Sequence, residues 1–141
     1  MNSRKAPPQM RKLIYAINIT LDGYCDHTNG IPDDKVLEYY THLLQDVDLL
    51  VFGRKTYQLM VPYWPDIAKS HSETKAENEY ADMFDSINKL VFSRSLKGSG
   101  DKNARIVRTN LQNEILKLKQ ENGKNILTGV YLSLRNLWHL A

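Results

Sequence analysis

The run Leu49-Leu-Val-Phe52 is apolar on both faces of an extended chain, and it stops at Gly53-Arg54-Lys55-Thr56. A half-exposed strand alternates polar and apolar side chains; a run without alternation belongs in the middle of a parallel sheet, covered on both sides. This one segment therefore calls for helices on two faces and neighbours on two edges. The residues that follow narrow the reading. Gly53 allows a sharp turn and the close approach of a ligand to the backbone. Arg54 to Met60 has the character of a helix whose first turn offers unpaired N–H groups, while Arg54 can grip an anion with a planar fork and Lys55 adds a point charge. The junction suits a phosphate, and solvated cations on an ordinary turn are the competing description.

The rest of the chain alternates strand-like and helix-like segments at α/β spacing. Leu13 to Thr20 reads as a first strand, followed by a long loop over Leu21 to Pro32, rich in turn formers. Asp33 or Asp34 begins a helix through Leu44, with Val36, Leu37, Tyr40, Leu43 and Leu44 on one face. Pro62-Tyr-Trp-Pro65 is expected to break structure. Glu73 to Ile87 reads as a polar helix with Tyr80, Met83, Phe84 and Ile87 inward. Lys89 to Ser93 and Ala104 to Arg108 are strands, Leu111 to Lys119 is a helix ended by Asn122-Gly123, and Lys124 to Thr128 is a buried strand.

Length sets the scale: 141 residues make one domain, expected over residues 11–141, behind a flexible lead-in at residues 1–10. A net charge of +3 with 25% charged residues is too weak and too dispersed to imply nucleic acid. One cysteine, Cys25, rules out an internal disulfide framework, and no apolar stretch has the length of a membrane span, so a reducing cytoplasm is expected and no membrane. His27, His42, His71 and His139 lack metal-ligand spacing, and Cys25 has no evident base; neither a metal nor a nucleophile is expected.

Two further junctions repeat the logic of the first. Lys89-Leu-Val-Phe-Ser-Arg-Ser95 ends an apolar run with two hydroxyls around a guanidinium, and Asn125-Ile-Leu-Thr-Gly129 leaves a strand at a threonine and a glycine. Each alone is weak; a solvated loop is the commoner explanation of Ser-Arg-Ser. Together they would lie at the same edge of a parallel sheet, and ligands of open α/β sheets bind outside the carboxyl ends of the strands. The conjunction favours a nucleotide.

Lys12-Leu-Ile-Tyr-Ala-Ile-Asn-Ile-Thr-Leu-Asp-Gly-Tyr24, Val51-Phe-Gly-Arg-Lys-Thr-Tyr57, Lys89-Leu-Val-Phe-Ser-Arg94 and Asn125-Ile-Leu-Thr-Gly129 resemble, in order, the successive signatures of the dihydrofolate reductase superfamily. The branch they most resemble is the reductase domain of bacterial riboflavin biosynthesis. The resemblance implies a three-layer α/β fold around a mostly parallel sheet, NADPH, and hydride transfer to a small pterin-like or pyrimidine-like substrate. It also admits a homodimer. Carried over by position, Gly53, Arg54, Lys55 and Thr56 would bind cofactor phosphates, Ser93 and Arg94 the ribose 2′-phosphate, and Thr128 and Gly129 the pyrophosphate. Val130 stands where a second glycine is usual. Asp22 would orient cofactor or substrate, with an Asx-type turn before Gly23 as its other reading; Tyr57 and Trp64 would line the substrate side, with simple packing as theirs. Superfamily members continue through further strands, so the fold is expected to lack its C-terminal strands, and a nucleotide-binding remnant or interaction protein without turnover is the alternative function.

Overall fold

In a computed structural model, residues 10–17, 21–23 and 33–129 are described. They build five strands and five helices: β1 Leu13–Tyr15, α1 Asp34–Leu44, β2 Val47–Gly53, α2 Arg54–Met60, α3 Tyr63–Ser70, α4 Lys75–Ser86, β3 Asn88–Phe92, β4 Ala104–Val107, α5 Leu111–Gln120 and β5 Asn125–Thr128. The strands form one sheet in the order β1-β5-β2-β3-β4, and every pairing is parallel. The fold is the α/β class that the two-sided apolar run called for. Expectations that fall on residues 1–9, 18–20, 24–32 and 130–141, among them the end of the first strand, most of the long loop, Cys25, His27 and Val130, lie outside the described residues.

β2 shows why its sequence is apolar throughout. Leu50 and Phe52 join a core with Leu37 and Leu44 of α1, Tyr57 of α2, Trp64 and Ile67 of α3, and Tyr80 and Phe84 of α4. Val51, between them, points the other way and packs with Leu90, Val107 and Ile126 against Ile115 and Leu118 of α5. Helices α1 to α4 thus cover one face of the sheet and α5 the other, giving three layers.

Local chemistry fixes the helix ends. Asp33 caps α1 by accepting from the Lys35 N–H at 3.0 Å. Thr74 and Glu77 form a reciprocal capping box at the start of α4, and Asn110 accepts from the Asn113 N–H to begin α5. The Pro62–Pro65 segment corrects the sequence reading. The chain does break at a cis Val61–Pro62 peptide, but Tyr63, Trp64 and Pro65 then form the first turn of α3. Proline is tolerated there because the first N–H groups of a helix have no intrahelical acceptor. The first strand is also shorter than expected, running only to Tyr15.

The connection from β3 to β4 crosses the sheet without a helix, and polar contacts replace the missing packing. Lys89 and Asp101 make an ion pair at 3.1 Å with side chains 0% and 3% exposed, and the Lys89 ammonium lies 4.7 Å from the centre of the Phe84 ring. Asn103 donates to the Asp85 carbonyl at 2.8 Å. The Tyr57 hydroxyl donates to the Ser99 carbonyl. Burial, with the Asp101 carboxylate nearby, pushes the Tyr57 phenol up to about 12, so it remains a donor across the neutral range.

Candidate functional site at the carboxyl edge of the sheet

Because all five strands are parallel, their carboxyl ends share one edge. β5, β2 and β3 are consecutive in the sheet, so the three junctions singled out in sequence stand side by side. Gly53 is in register with Phe92; Arg54 and Lys55 therefore leave β2 next to where Ser93 and Arg94 leave β3. Thr128 is in register with Val51, which puts Gly129 on the other flank of the same junction.

Arg54, Lys55 and Arg94 are exposed. Arg54 donates to the Gln58 side-chain oxygen at 3.2 Å, and among the described residues none of the three makes an ion pair. Cations gathered without carboxylates suit an anionic ligand. The helix that follows Gly53 is seven residues long, so the side chains, rather than the helix end, supply most of the attraction.

Several assigned residues have roles different from those expected. Gly53 has φ −82° and ψ 166°, an extended conformation open to any residue, so it does not provide the sharp glycine turn expected of it. Thr56 is buried. The Thr128 hydroxyl donates to the Val51 carbonyl at 3.1 Å, which ties β5 to β2. A Cβ on Gly129 would overlap the Ala16 carbonyl oxygen, so this glycine is demanded by the approach of the chain leaving β1. Ser93 accepts from the Ser95 and Leu96 N–H groups at 3.3 and 3.0 Å and keeps only its own O–H to donate.

Trp64 and Tyr57 are core residues, 6% and 2% exposed. Trp64 packs edge-on against Tyr80 with ring centres 4.5 Å apart. Packing, not substrate contact, describes both. Asp22 is exposed and precedes Gly23, whose φ of 86° is the left-handed conformation of a turn.

Sequence reasoning missed two features of this edge. One is a cleft of about 490 Å³ between the end of β1 and the start of α1, lined by Tyr15, Ala16, Ile17, Lys35, Val36, Tyr39 and Tyr40. Tyr39 and Tyr40 meet edge to face at 5.9 Å, and burial, then the neighbouring Tyr39, raises the Tyr40 phenol. Since the Ala16 N–H donates to the Thr128 carbonyl at 3.0 Å, the cleft opens on the same edge as the cations, one strand beyond β5. The other is Arg108, just past β4, which donates to the carbonyls of Arg94 and Leu96 at 2.8 and 2.6 Å and of Ser93 at 3.4 Å. Its signal was present: Ala104 to Val107, like Val47 to Gly53, is a strand followed at once by an arginine.

The described residues thus define a parallel α/β protein with an anion-suited carboxyl edge and a neighbouring aromatic cleft. No protein-family model matches the chain. It is 30% identical over 121 residues to the uncharacterized protein YyaP of Bacillus subtilis (strain 168), an alignment covering 84% of this chain and 62% of that protein. The chain therefore spans less than two thirds of the length of the curated relative it matches. No helix among the described residues is long and apolar enough to cross a membrane.

Proposed function

We propose that the carboxyl edge of the sheet binds NADPH and that the protein is an NADPH-dependent reductase of a small, flat substrate, pterin-like or pyrimidine-like, acting in the cytoplasm. The observation that carries the reading is the adjacency of two unpaired cationic junctions, Arg54-Lys55 and Ser93-Arg94, at the ends of neighbouring parallel strands. From β1 to β3 the edge spans three strand spacings, about 14 Å, the scale of an extended dinucleotide.

In this reading Arg94 and the Ser93 hydroxyl hold the ribose 2′-phosphate, and Arg54 and Lys55 hold phosphate oxygens with charge-assisted hydrogen bonds. Gly53 leaves room for the ligand against the backbone. The cleft beside Tyr15 and Tyr39 takes the substrate, its tyrosines stacking on a ring and Lys35 meeting an anionic substituent. When bound, the nicotinamide supplies the hydride, so the protein's task is position and electrostatics and needs no nucleophile of its own. A homodimer fits the reading but adds no residue to it.

A second reading is a nucleotide-binding protein without turnover. It is favoured by the burial of Tyr57 and Trp64, which removes both aromatic residues first assigned to the substrate side.

The test is a fluorescence titration of NADPH and NADH at one ionic strength, followed by NADPH oxidation assays with pterin and pyrimidine substrates. NADPH is expected to bind at least tenfold more tightly than NADH, because contacts to the 2′-phosphate contribute on the order of 1.5–3 kcal/mol each. Equal affinities would defeat the phosphate assignment. Tight NADPH binding with no oxidation of any substrate would favour the second reading.

A further inference from the structure

We infer that Arg108 is a positioning residue for the preference for a 2′-phosphate: it holds the turn that presents Arg94. The inference rests on the NADPH reading above. Phe92 and Val107 are in register at the ends of β3 and β4, so the residues that follow them, Ser93 and Arg108, emerge together. The Ser93 N–H donates to the Val107 carbonyl at 3.2 Å. From there the chain turns back over four residues, and its polar groups are satisfied from two sides. The Ser93 hydroxyl accepts the N–H groups of Ser95 and Leu96, and the Arg108 guanidinium gathers the carbonyls of Ser93, Arg94 and Leu96.

The two terminal nitrogens of the fork divide the work, one reaching the Ser93 and Arg94 carbonyls and the other the Leu96 carbonyl; an ammonium also has three donors, but they radiate from a single nitrogen and cannot span the same spread in a fixed plane. The consequence falls on Arg94. Its carbonyl is held at 2.8 Å by Arg108, whereas its side chain is exposed and makes no ion pair among the described residues. The guanidinium that would meet the phosphate is thus mounted on a turn whose shape is set by a second guanidinium. A group fixed before the ligand arrives loses less freedom on binding it.

The clasp is separable from the stability of the fold. Farther along the crossover, the chain is pinned independently by Lys89–Asp101, Tyr57–Ser99 and Asn103–Asp85. Removing Arg108, an exposed residue, should loosen the turn at 93–96 without releasing the crossover.

The experiment measures NADPH and NADH affinity, with thermal melting, for the full chain and for Arg108→Ala, Arg108→Lys, Arg94→Ala and the Arg94→Ala/Arg108→Ala double variant. Arg108→Ala is expected to weaken NADPH about tenfold and leave NADH within twofold and the melting midpoint nearly unmoved. Arg108→Lys should behave like the alanine variant. The double variant should bind NADPH no more weakly than Arg94→Ala alone, since the two residues act through one contact. A lysine variant that keeps full NADPH preference would reduce Arg108 to a charge and overturn the inference, as would additive losses in the double variant or equal losses for both cofactors. A preference for NADPH that depends on Arg94 but not on Arg108 would sink this inference alone; a parent chain with no preference would sink the nucleotide reading and the inference with it.

Discussion

The two ends of the sheet use particular cations in opposite ways. At the amino end, beside the exposed Lys12 and Lys102, three cations are taken up by the fold: Arg11, 7% exposed, pairs with Asp48 and donates to the Lys124 carbonyl at 2.7 Å and the Leu118 carbonyl at 3.3 Å. Lys124 donates to the Gln45 carbonyl, and Lys89, near the start of β3, is closed in with Asp101 and the Ile87 carbonyl. At the carboxyl end Arg54, Lys55 and Arg94 stand in solvent without a carboxylate, and Arg108 is engaged only with main-chain carbonyls. Charge that a fold needs for itself is buried and matched; charge kept exposed and unmatched at a strand edge is available to a ligand.

The largest expected effect tests the amino end. Lys89→Met leaves Asp101 buried without its partner and should lower stability by about 3–5 kcal/mol, read from urea unfolding midpoints. A loss below about 1 kcal/mol would mean that the pair does not hold the crossover. The second effect lies at the carboxyl edge but belongs to the fold. Gly129→Ala forces a Cβ against the Ala16 carbonyl and should cost about 2–3 kcal/mol of stability, with or without nucleotide. An unchanged melting midpoint would return Gly129 to the ligand.

The third effect sharpens the contrast between the two glycines. Gly53 has ordinary extended backbone angles, so Gly53→Val should cost only about 1 kcal/mol of stability as a poorer helix cap. NADPH affinity, however, should fall more than tenfold, because a branched side chain would fill the space where the ligand meets the backbone. Normal affinity in this folded variant would make the junction purely structural.

Much of the fold was legible because local signals agreed with it. The strand-to-helix boundary at Gly53 and Arg54 follows from an apolar run that stops abruptly, and Asp33 marks the start of α1 with a side chain built to cap it. The Thr74 and Asn110 caps were not read from the sequence, which began the fourth helix ahead of its cap, at Glu73. What else escaped depended on pairing between distant segments. Gly129 looks like a ligand glycine until β1 is set beside β5, and Thr128 looks like a ligand hydroxyl until Val51 is set opposite it. The cleft joins Tyr15 to Lys35 and Tyr39 across a long connection, so no spacing in the sequence announces it. Arg108 was readable as a cation after a strand, but its clasp on Ser93, Arg94 and Leu96 exists only because β3 and β4 are paired in register. Pro62 and Pro65 misled because proline marks a break and also suits a helix's first turn.

The central claim, that the carboxyl edge and not the amino end receives the nucleotide, is tested most directly by mapping backbone amide shifts of the nitrogen-15-labelled chain during NADPH titration. The largest changes are expected at residues 53–56 and 93–96, with smaller ones at Gly129 and along the Tyr15 cleft, and the changes at 93–96 should shrink when NADH replaces NADPH. Changes centred on Arg11, Asp48 and Lys124, or none at saturating NADPH, would contradict it.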